Sequence, residues 1–295
     1  MSDYSIAIVQ PTNGYELLDS GEGEKMERYG EYVVARPDPQ ALWPKALPES
    51  EWAKAHAVFS RDSKNTGWEL KKSLPEKWQI DFGDLKFWIK PTSFKHTGLF
   101  PEQQSNWAWI QKQIEGRKNK APSEPVRVLN LFGYTGGASL AAAQAGAEVV
   151  HVDGSKSAIA WARENAEISG LKDKPIRWLL DDAAAFVRRE IKRGNNYEGL
   201  IMDPPAFGHG PKGEMWKIEE SFLPFLEMCR QILSNQPLFF LLNGYASGYS
   251  ALAYKNNLDE LVKKYNGSIE VGELTIEEKI NKRLLPCGIF ARWQA

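Results

Sequence analysis

Residues 126–153 read VRVLNLFGYTGGASLAAAQAGAEVVHVD, and this order of residues decides the fold. An apolar run at 126–132 gives way to a Gly/Thr turn, and an alanine-rich segment at 138–145 follows. That is the pattern of a buried strand, a tight loop and a helix. A second apolar run at 149–152 ends on a carboxylate, Asp153. The whole predicts a βαβ unit. Gly133, Gly136 and Gly137 take side chains away where the backbone turns and where a ligand can approach closely, and the helix that follows aims its N-terminal amides at the same place. Asp153 stands 20 positions after Gly133, the spacing at which a second strand tip reaches both hydroxyls of a ribose. The unit therefore predicts a nucleoside-binding edge.

A dinucleotide fingerprint would read G-x-G-x-x-G, and this chain has Gly133-Tyr134-Thr135-Gly136-Gly137 instead. The run Asn130-Leu-Phe132-Gly-Tyr-Thr-Gly-Gly137, joined to the strand-end acid, resembles the class I S-adenosylmethionine-dependent methyltransferases. Within them it is most similar to the group holding the bacterial 23S rRNA methyltransferases for cytosine C5 and guanine N7. The resemblance covers roughly residues 94–293. It implies a Rossmann-like α/β domain at 93–295 with a mostly parallel sheet and an antiparallel C-terminal strand. It also implies S-adenosyl-L-methionine as cofactor, held by Asn130, Phe132, Gly133, Tyr134, Thr135, Gly136, Gly137, Asp153, Gly154 and Ser155. Phe100, Pro101 and Gln103, ahead of the entry helix, are further contacts by similarity, and Phe100 reads equally well as a buried residue at a plain helix start.

Residues 1–92 alternate short β-type runs (15–18, 32–35, 58–60, 67–70, 78–82 and 85–89) with Gly, Pro and Asp, which predicts a small β-rich domain. Seven of the 11 tryptophans precede residue 110. Tryptophans at strand spacing, such as Trp78 and Trp88, are core residues; exposed ones would stack on bases. Pro101 opens an amphipathic helix of about 15 residues at the favoured first position.

Beyond Asp153, Ser155 caps a helix running to about 169, where Gly170 stops it. A strand at 176–180 ends at Asp181-Asp182; one acid of the pair contacts an adenine amine by the family resemblance, or caps the helix at 183–193. Next comes Leu200-Ile-Met-Asp203-Pro204-Pro205-Ala-Phe207-Gly208. A buried strand ends in an acid, and two prolines stiffen the backbone and remove two amide donors at the sheet's carboxyl edge. In methyltransferases of this fold the motif presents an acid and an aromatic face to a substrate amine. Asp203, Pro204, Pro205 and Phe207 are accordingly the catalytic candidates, with Asp203 also touching the donor. The alternative is a proline-rich connecting loop. Residues 208–213, with His209 and Lys212, read as a mobile flap, 215–233 and 251–265 as helices, 238–242 as a strand, and 269–276 with 288–293 as a terminal pair.

The cytosine-C5 members carry a cysteine that attacks the base, because an aromatic carbon is otherwise too weak a nucleophile. The matching position here is Ala246, so the resemblance implies a nitrogen acceptor, on an RNA base and foremost in rRNA; the rivals are a protein or small-metabolite acceptor and a donor-binding, non-catalytic assembly module. The chain holds 37 basic and 38 acidic residues, a net charge of −1, which argues against strong nonspecific binding to nucleic acid. Cys229 and Cys287 have neither a C-x-x-C partner nor a nearby histidine, so no disulfide framework or metal is expected. The N-terminal MSDYSIAIVQ has no basic and apolar signal pattern and no run approaches about 18 apolar residues, so a cytoplasmic protein without a membrane segment is expected.

Overall fold

The computed structural model describes residues 3–61, 66–121, 123–245 and 248–295. The chain forms two compact units. One comprises residues 8–104 and 274–287; the other comprises 1–7, 105–273 and 288–295. The sequence reading drew one boundary at 92/93, whereas the chain passes between the units at 7/8, 104/105, 273/274 and 287/288.

After β1 (Asp3–Val9) the smaller unit builds a five-stranded sheet from β2 (Tyr15–Gly21), β3 (Glu24–Tyr29), β4 (Tyr32–Pro37), β5 (Ala57–Arg61) and β6 (Thr66–Leu70) in that spatial order, with a one-turn helix α1 (Glu49–Trp52) between β4 and β5. A hairpin of β7 (Trp78–Phe82) and β8 (Leu85–Ile89) completes it. Strand β3, EKMERY, has no apolar alternation and escaped the sequence reading. Its Glu27 is fully buried and accepts hydrogen bonds from Arg36 Nη2 (3.0 Å), Tyr15 (2.8 Å) and Tyr29 (3.1 Å). Burial alone would push Glu27 up, but Arg36 and Lys25 outweigh it and hold the carboxyl down at about 2. A satisfied ion pair thus occupies a place that sequence patterning assigns to apolar residues. Every one of the 11 tryptophans is buried or half-buried; of the two read as core, Trp78 is buried and Trp88 half-buried.

The larger unit follows from helix α2 (Gln104–Lys120). Strands β9 (Arg127–Leu131), β10 (Glu148–Asp153) and β11 (Ile176–Leu180) alternate with α3 (Gly137–Gln144), α4 (Lys156–Ile168) and α5 (Ala183–Arg193). Strand β12 (Gly199–Met202), the short strands β13 (Phe207–His209) and β14 (Met215–Lys217), α6 (Ile218–Gln231), β15 (Phe239–Gly244), α7 (Ala251–Val262), β16 (Ser268–Glu277) and β17 (Leu284–Gln294) follow. The main sheet runs β1-β16-β17-β15-β12-β9-β10-β11. From β15 to β11 the strands are parallel, and β17 lies antiparallel to β15. This is the Rossmann-like α/β architecture. Parallel pairing needs helical crossovers that cover both faces, which is why β12 and β15 are buried at every position. The register sets Leu131, Val152 and Met202 in one row and Leu242 beside Met202. Residues 132, 153, 203 and 243 therefore leave the sheet side by side at its carboxyl edge, where open α/β sheets take their ligands.

The segment after the double proline differs from expectation. Residues 208–213 belong to a hairpin with its turn at 210–214, in which Phe207 pairs with Lys217, Gly208 with Trp216 and His209 with Met215. The helix begins at Ile218, not at Met215. The ladder decides it: Met215, Trp216 and Lys217 are paired with the strand from Phe207 to His209, so the helix can open only after Lys217.

Candidate functional site

The loop between β9 and α3 is held in an unusual backbone conformation. Phe132 and Tyr134 both have positive φ (60° and 49°), and Gly136 follows at 94°. Bulky residues in this region are strained by about 1–3 kcal/mol each and stay there only where surroundings over-determine them. The ties are visible. Gly133 N–H donates to the Val152 carbonyl at 3.0 Å, Gly136 N–H to the Gly133 carbonyl at 3.0 Å, and Tyr134 N–H to Asp153 Oδ2 at 2.8 Å. Asp153 Oδ1 accepts from Ser155 N–H at 2.7 Å. Burial raises the Asp153 carboxyl, and these two amides counter it.

The glycines have packing reasons beyond turning. A Cβ on Gly133 would stand 2.4 Å from the His151 ring, and one on Gly137 would stand 2.3 Å from the Trp107 ring. Only Gly136 is demanded by its φ. Under the loop runs a buried polar chain that the sequence did not announce. Asn130 Nδ2 donates to Ser139 Oγ at 2.9 Å, and Ser139 Oγ lies 2.9 Å from His151 Nδ1. The amide nitrogen donates, and the serine hydroxyl links it to the imidazole. Burial holds His151 neutral, with its pKa pushed down to about 3, and Trp178 packs on it at 4.8 Å. Asn130, expected among the ligand contacts, spends its amide on this support. Thr135 is buried and its carbonyl accepts from Asn165 at 3.0 Å.

The two acids after β11 divide their work. Asp182 caps α5, its Oδ1 accepting from Ala185 N–H at 2.7 Å, and Asp181 pairs with Arg189. Ser155 caps α4 as the sequence predicts. The hairpin tip comes down beside these groups: a Cβ on Gly154 would lie 3.3 Å from the His209 carbonyl oxygen, and one on Gly210 would lie 3.2 Å from Asp182 Cβ. Asp203 is half-buried at the end of β12, Pro204 is buried, and Pro205 and Phe207 are exposed. The Pro205 carbonyl is taken inside the fold, because Trp216 Nε1 donates to it at 2.7 Å. Trp216 in turn packs with Phe132 and Phe225 at ring distances of 5.0 and 5.4 Å. Phe207 is 55% exposed, its ring free of the core and edge-on to His209.

Phe100 is half-buried, and Pro101 and Gln103 are buried in a single 3-10 turn. All three belong to the smaller unit. Cys229 is buried in α6, where burial pushes its thiol well up, and Cys287 is half-buried with its thiol also raised by burial; neither has the thiolate character of a nucleophile. Ala246 lies outside the described residues. Among the described residues no group of three or more His, Cys, Asp or Glu could hold a metal ion, and no helix is long and apolar enough to cross a membrane.

Chemically, the arrangement offers two strand-end carboxylates, one on each strand flanking β9. Asp153 uses one oxygen on each of two amides, and a carboxylate has about four lone-pair positions, which leaves room for a pair of sugar hydroxyls. Asp203 stands two strands away beside an exposed ring. A family model described as S-adenosylmethionine-dependent methyltransferase matches residues 54–218. A solved structure, the SAM-dependent methyltransferase from Agrobacterium tumefaciens, is 39% identical with a TM-score of 0.91, covering 99% of this chain and 95% of that one. The ribosomal RNA large subunit methyltransferase K/L of Shewanella oneidensis is 32% identical over 255 residues, 78% of this chain and 34% of the relative. Its namesake in Hahella chejuensis is 30% identical over 169 residues, 57% of this chain and 22% of the relative. The chain thus spans about a third or less of the length of these curated relatives.

Proposed function

This chain belongs to the S-adenosylmethionine-dependent methyltransferases, and on that premise we propose that it methylates a nitrogen of an RNA base, foremost in rRNA. The observation that carries this reading is the exposed ring of Phe207 four residues after the strand-end acid Asp203. An aromatic face held out of the core beside a carboxylate suits a flat heterocycle carrying an N–H group, since stacking contributes about 1–3 kcal/mol per base whatever its identity. The relatives named for large-subunit rRNA support the same acceptor.

In this reading Asp153 takes the ribose hydroxyls of the donor, and the loop of Phe132, Gly133, Tyr134, Thr135, Gly136 and Gly137 lies against its amino-acid portion. Gly154 and Ser155 border the ribose, and Asp181 and Asp182 stand at the adenine. When bound, S-adenosylmethionine supplies a methyl carbon already activated by its sulfonium. The chain's own work is then positioning: aligned reactants gain roughly 7–11 kcal/mol over the same groups free in water. Asp203 accepts an N–H of the acceptor, which holds the nitrogen lone pair in line, and takes up the proton released on methylation. Phe207 fixes the ring plane. Pro204 and Pro205 keep the backbone rigid, and the Trp216 bond to the Pro205 carbonyl seats the hairpin that carries Phe207.

The near-neutral charge favours one other reading, a protein or small-metabolite acceptor. Incubation with methyl-labelled donor and separated rRNA, tRNA, protein and metabolite fractions tests the choice. Label is expected in rRNA, and label confined to the protein or metabolite fraction would overturn the RNA assignment.

A further inference from the structure

Tyr254 on α7 is a large polar side chain of the larger unit that neither the motif nor the donor loop accounts for. It is 3% exposed, and among the described residues its hydroxyl finds no hydrogen-bond partner. An unpartnered buried hydroxyl carries a desolvation penalty, so the fold alone gives no reason for a tyrosine there. Phenylalanine would fill the same space. The ring edge packs on Phe222 at 5.4 Å. The hydroxyl is laid against the end of β15, where a Cβ on Gly244 would stand only 2.6 Å from it. Because Leu242 pairs with Met202, Gly244 lies just past the row in which Asp203 leaves the neighbouring strand. Burial first, and the field of the Asp203 carboxylate second, raise the phenol to about 12, so at neutral pH it is a proton donor.

We infer that Tyr254 is a positioning residue for Asp203, its hydroxyl donating to that carboxylate and fixing its orientation when the acceptor is seated. A carboxylate has capacity for both an acceptor N–H and a phenol O–H. The bond restricts the rotation of Asp203, so the oxygen that takes the acceptor proton is already aimed. The inference rests on the role of Asp203 proposed above, and it is independent of which acceptor is methylated.

The test compares wild type, Tyr254→Phe, Asp203→Asn and the double variant of the full chain, using whichever fraction the wild type labels. Tyr254→Phe is expected to melt at the wild-type temperature or higher, to bind S-adenosylhomocysteine unchanged, and to lose about tenfold in kcat with little change in the acceptor KM. In the Asp203→Asn background the same substitution should change kcat by less than about twofold, because residues acting through one another are not additive. Wild-type kcat in Tyr254→Phe, an equal loss in both backgrounds, or a loss matched by a lower melting temperature would each overturn the inference. Wild-type turnover in Asp203→Asn would instead sink the proposed role of Asp203 itself. Gly244→Ala, which pushes on the hydroxyl without removing it, should reproduce the kcat loss.

Discussion

Tyr134 N–H donates to Asp153 Oδ2 at 2.8 Å, so the acid at the tip of one strand sets the backbone of the loop that leaves the next. This bond joins the two halves of the proposed donor cradle, and it explains how a bulky tyrosine is kept at φ 49°. Removing it should act twice.

Asp153→Ala should weaken S-adenosylhomocysteine binding by about 1.5–3 kcal/mol, the range for hydrogen bonds to a charged group, which is roughly 10- to 150-fold in Kd. Titration calorimetry gives the number, and an unchanged Kd would refute the ribose assignment. The same variant should melt earlier, because the loop loses its tie.

Gly133→Ala and Gly137→Ala drive a methyl group into the His151 and Trp107 rings. Overpacking of this kind costs about 1–3 kcal/mol, read from the denaturant midpoint. Gly116→Ala is the control. It sits in α2 with nothing within 4 Å of the added carbon, and should gain about 0.5–1 kcal/mol.

How far the sequence carried follows from these cases. The β9-α3-β10 order and the cap at Ser155 were legible because each rests on local chemistry: a turn, an apolar period, a hydroxyl. The cap at Asp182 was one of two readings of that acid pair, and the antiparallel end of the sheet came from the family resemblance alone. The support beneath the loop was not. Nothing in the text N-L-F-G-Y-T-G-G says that Asn130, Ser139 and His151 meet, since they join across two strands and a helix. Strand β3 hid for a related reason, its charges being satisfied by Arg36 and two tyrosines. The hairpin at 207–217 was missed because its glycines and prolines read as a loop.

His151 makes stability depend on pH. Its folded pKa, near 3, lies below the ordinary value of about 6.5, so the unfolded chain binds the extra proton. The contribution is complete above about 6.5 and drains away as the pH falls toward 3. In His151→Gln this slope disappears. Denaturant midpoints of the two proteins between those limits should therefore converge as the pH falls; parallel curves would mean that the imidazole is already charged in the native state. Buried Glu102, raised to about 7 by burial, acts in the opposite direction and cancels in the comparison.

Arg36→Met leaves Glu27 buried without its principal counter-charge. Breaking such a pair from one side costs about 3–5 kcal/mol, so the variant should unfold far earlier in denaturant. The second change Glu27→Gln should recover part of the loss, since it removes the stranded charge.

Phe207→Ala should raise the acceptor KM about 5- to 150-fold, as loss of about 1–3 kcal/mol of stacking requires, and leave calorimetric donor affinity as it was. A fall in donor affinity would move Phe207 out of the acceptor site.

The central claim is that the carboxyl edges of β9, β10 and β12 form one cradle, with the sugar on Asp153 and the reacting methyl turned toward Asp203. A crystal structure of the S-adenosylhomocysteine complex addresses it most directly. Both ribose hydroxyls should lie within hydrogen-bonding distance of Asp153, with the sulfur facing the Asp203 side of the loop; a nucleoside bound elsewhere, or a ribose out of reach of Asp153, would contradict the account.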